Sequence, residues 1–478
     1  MAILHAPSAR PAPDAGARRN DLPRYLHSLV VGMAWLIAGG ACFTLDHALP
    51  GEWDNNALVA LSGLAIAFGG WVFWRHGGPR ITAVAVYNLA FAVFIGFGGL
   101  YHGLKNVTTD PGIPLLTTVA VCFFSHVLTW MLFWGTGAPA APRSDAARAD
   151  AGTAGWAVTF GLVLLAIAVV ASLAAPQSVF TVRPVGFVGV VLVATGLLRG
   201  PMGRWTVLCG SVCAVTFTIY FFYLFDGFGR IVIGTLALAL LVILAHGDRR
   251  PLSKTLVIVG AAPVLLFLAA LRAGGAESTV DSDGFGSAVS PMSAFAQLWQ
   301  MNAGGTLPHS SGGTFFASLV ALVPRGLWPE KPAGFGYELV SYLAPQLAGT
   351  GHSVAALWQG EWLFNFGVAG MVVMIPVTGL AVRGIDWFLA RASARPLTTP
   401  RALGCYVAAV LAAVGLFDLV WVGGFTYMTR TGPRLLVLAL LVVTTAWLTR
   451  RPMPLEAADR RFGPDAFDRR VAVERMRK

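Results

Sequence analysis

From Tyr25 to Thr449 the chain is a succession of apolar runs, most of them near twenty residues, separated by short polar interruptions. A run of that length is what a helix needs to cross the hydrocarbon of a bilayer. No water is there to satisfy backbone N–H and C=O groups, so each run must close its hydrogen bonds within itself. Spans are expected near 25–45, 56–74, 81–101, 113–134, 154–175, 184–198, 205–225, 230–246, 253–271, 358–382, 402–422 and 432–449. The fold class is therefore an all-α polytopic membrane protein of about 12 transmembrane helices. The first run follows a polar segment rich in Pro and Arg and is longer than a signal-peptide core, so it reads as an uncleaved span.

Composition supports this reading. A chain of 478 residues could hold about three soluble domains, but only 12% of it is charged, against about 25% in soluble domains. The net charge of +11 raises the question of nucleic acid. The basic residues are scattered between spans, and no nucleic-acid partner is expected. They are instead the topogenic charge of loops on one side of the membrane. Of 34 Lys and Arg, alternating loops leave only Lys105, Arg183, Arg230, Arg272, Arg325, Lys331, Arg430 and Arg434 on the other side. The positive-inside rule then puts both termini in the cytoplasm. Five segments follow: a cytoplasmic tail (1–24), nine spans (25–271), a long outer loop (272–357), three spans (358–449) and a basic tail on anionic lipid (450–478).

The loop has internal structure. Residues 272–290 read as a flexible exposed segment, and Pro291–Asn302 as a short interfacial helix with its proline in the first turn. Thr314–Val323 is apolar but too short to cross, hence re-entrant or interfacial. All five cysteines lie in expected spans and none in the loop, so neither a disulfide framework nor a zinc pattern is present. No phosphate-binding glycine loop or DxD-type metal pair occurs. Asp281 and Asp283 come closest, in the most flexible-looking stretch.

The stretch from Phe315 to Gly370 holds most candidates for chemistry. Arg325 follows Pro324, where the short helix must end, and a planar guanidinium grips phosphate oxygens in pairs. An interfacial Arg that snorkels is the structural alternative. Lys331 and Trp328 share its PRGLWPEKP segment, and Glu338 follows. His352, in GTGHS, is a candidate general base or an exposed loop residue. Glu361 stands inside a span, where an acid costs roughly 2.5–3.5 kcal/mol and marks a functional site by default. Asn365, four residues on, shares its face. A structural pairing of Glu361 with Arg325 or Arg430 is equally open. Asp418 is a second intramembrane acid, and Arg272, Arg430 and Arg434 could add positive charge at the outer ends of their spans. Trp53, Trp71, Trp74, Trp130 and Trp134 read as interfacial belts.

The stretches VPRGLWPEKPAGFGYE (Val323–Glu338), GHS and GEWLFNFGVAG (Gly360–Gly370) resemble the bacterial oligosaccharide repeat-unit polymerases, the Wzy-type O-antigen and exopolysaccharide polymerases. His352-Ser353 with Gly367 and Gly370 downstream is also similar to the related O-antigen ligases, with about one helical turn more between them. The resemblance implies a GT-C-like glycosyltransferase at the outer face of the bacterial inner membrane. Its donor would be a glycan on a polyprenyl diphosphate and its acceptor a lipid-linked repeat unit. A chain-length regulator and a flippase would be its protein partners. In that setting Arg325 would hold the leaving diphosphate, and His352 or Glu361 would take the acceptor's proton. Lys331, Arg272, Arg430, Arg434, Glu338, Asn365, Trp328 and Asp418 would line the substrate. Fixed guanidinium charge can stabilise the departing diphosphate, so neither metal nor cofactor is expected. Ligation of glycan to another acceptor, or transport of lipid-linked sugar, are the alternatives. Transport is disfavoured because only one interrupted hydrophobic region is visible, without a partner in the first half.

Overall fold

The computed structural model describes residues 22–48, 54–105, 114–138, 148–176, 179–201, 205–225, 230–245, 251–260 and 289–448. Among them the chain is helical, with one isolated β-bridge between Ala149 and Leu397. Ten helices among the described residues are long and apolar enough to cross a membrane. A shorter apolar helix, Ile231–Ala245, stands where the eighth span is expected. The ninth is described only over its first turns, helical through 252–260. Residues 1–21, the basic tail 450–478, Arg272 and most of 272–290 lie outside the described residues.

Helices α1 (Leu22–Ala48), α2 (Asp54–Arg75) and α3 (Ala83–Phe91) open the bundle. A π-helical segment, Ala92–Phe97, carries α3 into α4 (Gly98–Lys105). This third span is almost wholly buried, so it forms the centre of the molecule. Next come α5 (Leu115–Thr129), α6 (Ala151–Ala174), α7 (Val179–Arg199), α8 (Thr206–Leu224) and α9 (Arg230–Ala245). The sixth span, expected over 184–198, runs the full length of α7. Small residues let α6 and α7 touch backbone to backbone: a Cβ on Gly161 would lie 2.7 Å from the carbonyl of Gly189. Such close approach, rather than hydrophobicity, drives helix pairing where lipid is as apolar as the side chains.

The loop contributes α10 (Pro291–Ala303), α11 (Gly313–Leu319) and α12 (Phe335–Leu343). The expected interfacial helix at 291–302 is corrected. Met292, Phe295, Ala296 and Leu298 of α10 are fully buried, and the helix packs against α4, α5 and the following span. The aromatic belt is corrected too. Trp130 and Trp134 are buried, and with Trp71 they pack around Phe68 and His126 at ring separations of 5.3–5.8 Å. Trp74 remains exposed, and Trp53 lies outside the described residues.

The tenth span, expected over 358–382, is a longer and broken helix, α13 (Leu357–Ser393). Gly367, at φ 63° and ψ −156°, splits it into two limbs. Residues Leu357–Asn365 of the first limb are all buried. The second limb exposes Val368, Val372, Val373, Val377 and Leu380, and by itself spans roughly 39 Å at 1.5 Å per residue. Helices α14 (Pro400–Val414), α15 (Leu416–Trp421) and α16 (Gly424–Leu448) complete the bundle.

The alternation of loops is visible in contacts at the two ends. At one end Lys254 donates to the carbonyls of Trp74 and His76. There too Ala83 N–H donates to Asp386, and Ala149 N–H donates to the carbonyl of Arg199. At the other, Arg183 donates to the carbonyl of Leu224, and α11 and the first limb of α13 meet the start of α16, with α10 packed against α13.

Candidate functional site

The break in α13 strands the carbonyls that close its first limb, and a loop residue must satisfy each one. Ser310 N–H donates to the carbonyl of Phe364 and Ser311 N–H to that of Asn365, both at 3.1 Å. Gly312 N–H donates to Asn365 Oδ1 at 3.0 Å. The loop is thereby fixed along the half-helix, and α11 starts directly over Glu361.

Glu361 is completely buried and joins three elements. Its Oε1 accepts from the Thr314 hydroxyl at 3.0 Å, and its Oε2 from Gly424 N–H at 2.6 Å. Gly424 opens α16, whose N-terminal dipole favours a carboxylate there. Asn365 donates to Thr314 Oγ1 and to the carbonyl of Glu361, each at 2.7 Å. The pairing expected from i, i+4 spacing is thus real and runs through Thr314. Glu361 has no ion pair with a described residue; Arg325 and Arg430 bond elsewhere.

Glu338, in the first turn of α12, is half-buried. Burial raises its carboxyl above the ordinary range, opposed by a hydrogen bond with the Ser310 hydroxyl. Its charge is felt at Glu361, so two carboxyl groups flank the same loop.

Further along α16 lies a cationic cluster. Arg430 Nη1 bonds Asp418 Oδ1 at 2.6 Å, and its guanidinium lies 5.2 Å from the Trp421 ring. The Arg430 side chain is 24% exposed, whereas Asp418 is fully buried. Arg434, also buried, stacks 3.7 Å over the ring of Phe187. Four polar atoms here have no hydrogen-bond partner among the described residues: Asp418 Oδ2, Arg434 Nη1, Thr431 Oγ1 and Trp421 Nε1. Buried polar atoms are normally satisfied, and inside a membrane they mark functional sites. From Gly424 the axial distance is roughly 9 Å to Arg430 and 15 Å to Arg434.

The remaining candidates stand apart. Arg325 is exposed and turns back on its own segment, donating from Nη1 to the carbonyls of Pro329 and Lys331 at 3.2 Å. Lys331 closes the same turn through the carbonyls of Ala321 and Val323, at 2.9 and 2.8 Å. Burial first, and the Arg325 charge second, hold its ammonium below the usual lysine value. Trp328 packs edge-on to Phe316 at 6.3 Å. His352 is exposed, its Nδ1 3.1 Å from Thr350 Oγ1. Sequence reasoning missed Ser310, Thr314 and Gly424, because their role depends on a fold that brings residues some fifty positions apart together. The one local signal was the Gly312-Gly313 and Gly423-Gly424 pairs flanking apolar runs.

At the far end of α13 a separate cavity of about 20 Å³ is lined by Arg80, Thr82, Asp386 and Ser393. It has room for about one water, not for a glycan or a diphosphate. No three His, Cys, Asp or Glu side chains among the described residues come together to hold a metal ion. No family model, curated protein or solved structure matches the chain.

Proposed function

We propose that the protein is a membrane glycosyltransferase that moves a glycan from a polyprenyl diphosphate to the hydroxyl of a lipid-linked oligosaccharide, and so polymerises repeat units. The observation that carries this is the juxtaposition of two carboxyl groups near the start of α16 and, roughly one and a half to three turns further on, a cationic cluster with unfilled hydrogen-bonding atoms. Arg430 and Arg434 would take the diphosphate, releasing Asp418 in part. Positioned guanidinium groups in a low-dielectric cleft stabilise the charge that grows on the leaving oxygen. The acceptor oxygen attacks the anomeric carbon, the bond to the diphosphate breaks, and the acceptor's proton passes to a carboxylate. Glu338 fits that last task, being half-buried, with a carboxyl made more basic by burial. Glu361, with both oxygens engaged, holds the frame that positions it.

The test is the length profile of lipid-linked glycans in a strain lacking the gene, complemented with wild type, Glu338→Gln or Arg430→Gln. Single repeat units in the deletion strain and both variants, at normal protein levels, are expected. Long polymer on the carrier in the deletion strain would favour ligation to another acceptor instead.

The break at Gly367 favours a second reading, because half-helices meeting near polar residues are also how transporters build sites. Proteoliposomes containing only this protein that move labelled lipid-linked sugar between leaflets would select it.

A further inference from the structure

Residues 313–334 run down α16 and back again. Thr314 lies at Glu361 and Ser318 beside Gly424, where a Cβ would be 3.2 Å from its hydroxyl. Leu322 lies against Gly432, at 2.9 Å from a Cβ built there. Gly432 is roughly 12 Å along the helix from Gly424. The chain then turns through Pro324–Glu330 and returns, and Gly334 meets the ring of Phe425 near the start of α16.

The tip of this hairpin is apolar and uncovered. Leu327 is 81% and Leu319 78% exposed, with Phe316 exposed beside them. Part of its polar backbone is closed internally. Lys331 and Arg325 cap the carbonyls of Ala321, Val323, Pro329 and Lys331. The N–H groups of Val323, Leu327, Trp328 and Lys331 bond carbonyls within the turn. Each group so satisfied lowers the cost of placing the turn at the edge of the hydrocarbon, and the remaining ones can face headgroups and water. Below Gly432 the same helix exposes Leu436, Leu440 and Val443, so the tip is continuous with an apolar surface suited to lipid. Arg325 keeps Nε and Nη2 without a protein partner among the described residues, and phosphate is the group its fork fits.

We infer that the hairpin 313–334 is a membrane-docking element. Leu327 enters the acyl region of the leaflet on the loop side, Leu319 lies nearer its headgroups, and the Arg325 fork reaches its phospholipid phosphates. This does not depend on the glycosyltransferase reading. It gives Arg325 a role in holding the hairpin at the bilayer surface.

The experiment places a spin label at Leu327→Cys or Leu319→Cys in the full chain, with Cys42 and Cys405 changed to Ser, reconstituted in phospholipid nanodiscs holding one copy each. Collision with oxygen and with a water-soluble nickel chelate is compared with labels at Leu440→Cys and Gln346→Cys. The Leu327 label is expected to favour oxygen over nickel, as Leu440 does, with the opposite preference at Gln346 and an intermediate one at Leu319. Nickel access at Leu327 equal to that at Gln346 would overturn the inference. So would protection seen only in two-copy discs with dipolar broadening, which would assign the tip to a second copy.

Discussion

At the scale of single residues, Glu361 shows what burial does to an acid that sequence alone marks as reactive. Its two oxygens are acceptors for Thr314 and Gly424, so its removal strands two donors inside the protein. Glu361→Ala should cost about 2–4 kcal/mol, since each stranded donor carries a penalty of about 1–3 kcal/mol. Glu361→Gln should cost far less, because its oxygen can face Gly424 N–H while its amide donates to the Thr314 hydroxyl. Thermal melts in detergent will separate the two. A melting temperature for Glu361→Ala equal to wild type would remove the structural role. The face shared by Glu361 and Asn365, and the position of Asp418 as a buried acid, were legible because helical spacing and a lone charge in an apolar run are local signals. Thr314 was not, because a threonine in a short apolar run looks like any other. Arg325 and His352 were conspicuous for their chemistry, yet both stand exposed, and nothing in their local sequence distinguishes an exposed site from a closed one.

At the scale of elements, positions and hydrophobic character of the helices could be read from apolar runs, but interruptions could not. The break in α13 depends on one dihedral pair at Gly367, in a region essentially closed to other residues. Gly367→Ala should destabilise by at least about 1–3 kcal/mol. Gly384→Ala, in the same helix with open space around it, should be neutral or gain up to about 1 kcal/mol. Equal melting temperatures for the two variants would mean that the break is not built into the native state. The turn between α2 and α3 gives a pH prediction. His76 is pushed down from 6.5 to about 3 by burial first, then by Arg383, Lys254 and Arg80. It stays neutral when folded but takes a proton on unfolding below pH 6.5, so stability present above that pH is lost as pH falls from 6.5 towards 3. The slope approaches 1.4 kcal/mol per pH unit for one such group. His76→Gln should flatten that part of the pH–stability curve. An unchanged slope would exclude His76 as its source. Burial of α10 and of the tryptophans around Phe68 was beyond the sequence, since an amphipathic loop helix and an interior one have nearly the same composition.

For the whole molecule, the distribution of charge is a long-range constraint that sequence states directly and packing must obey. The helix ends and loops carrying Arg75, Arg148, Arg199, Lys254 and Arg383 meet at one end through the bonds of Ala149, Lys254 and Asp386. The sparse cations Arg183, Arg325, Lys331 and Arg430 lie toward the other end with Glu361 and the start of α16. Contacts among the described residues thus gather these two sets of cations at opposite ends, and by the positive-inside rule the Asp386 end is expected to face the cytoplasm. An inverted insertion would carry most of the positive charge across the membrane. Arg395 and Gln346 are exposed at opposite ends, so each can report its side. In sealed right-side-out membrane vesicles of a Cys42→Ser, Cys405→Ser background, Gln346→Cys should react at once with a membrane-impermeant maleimide. Arg395→Cys should react only after permeabilisation. The reverse pattern would place the carboxyl pair and the Arg430 cluster on the cytoplasmic side, away from any polymer assembled outside, and the glycosyltransferase reading would have to be given up with it.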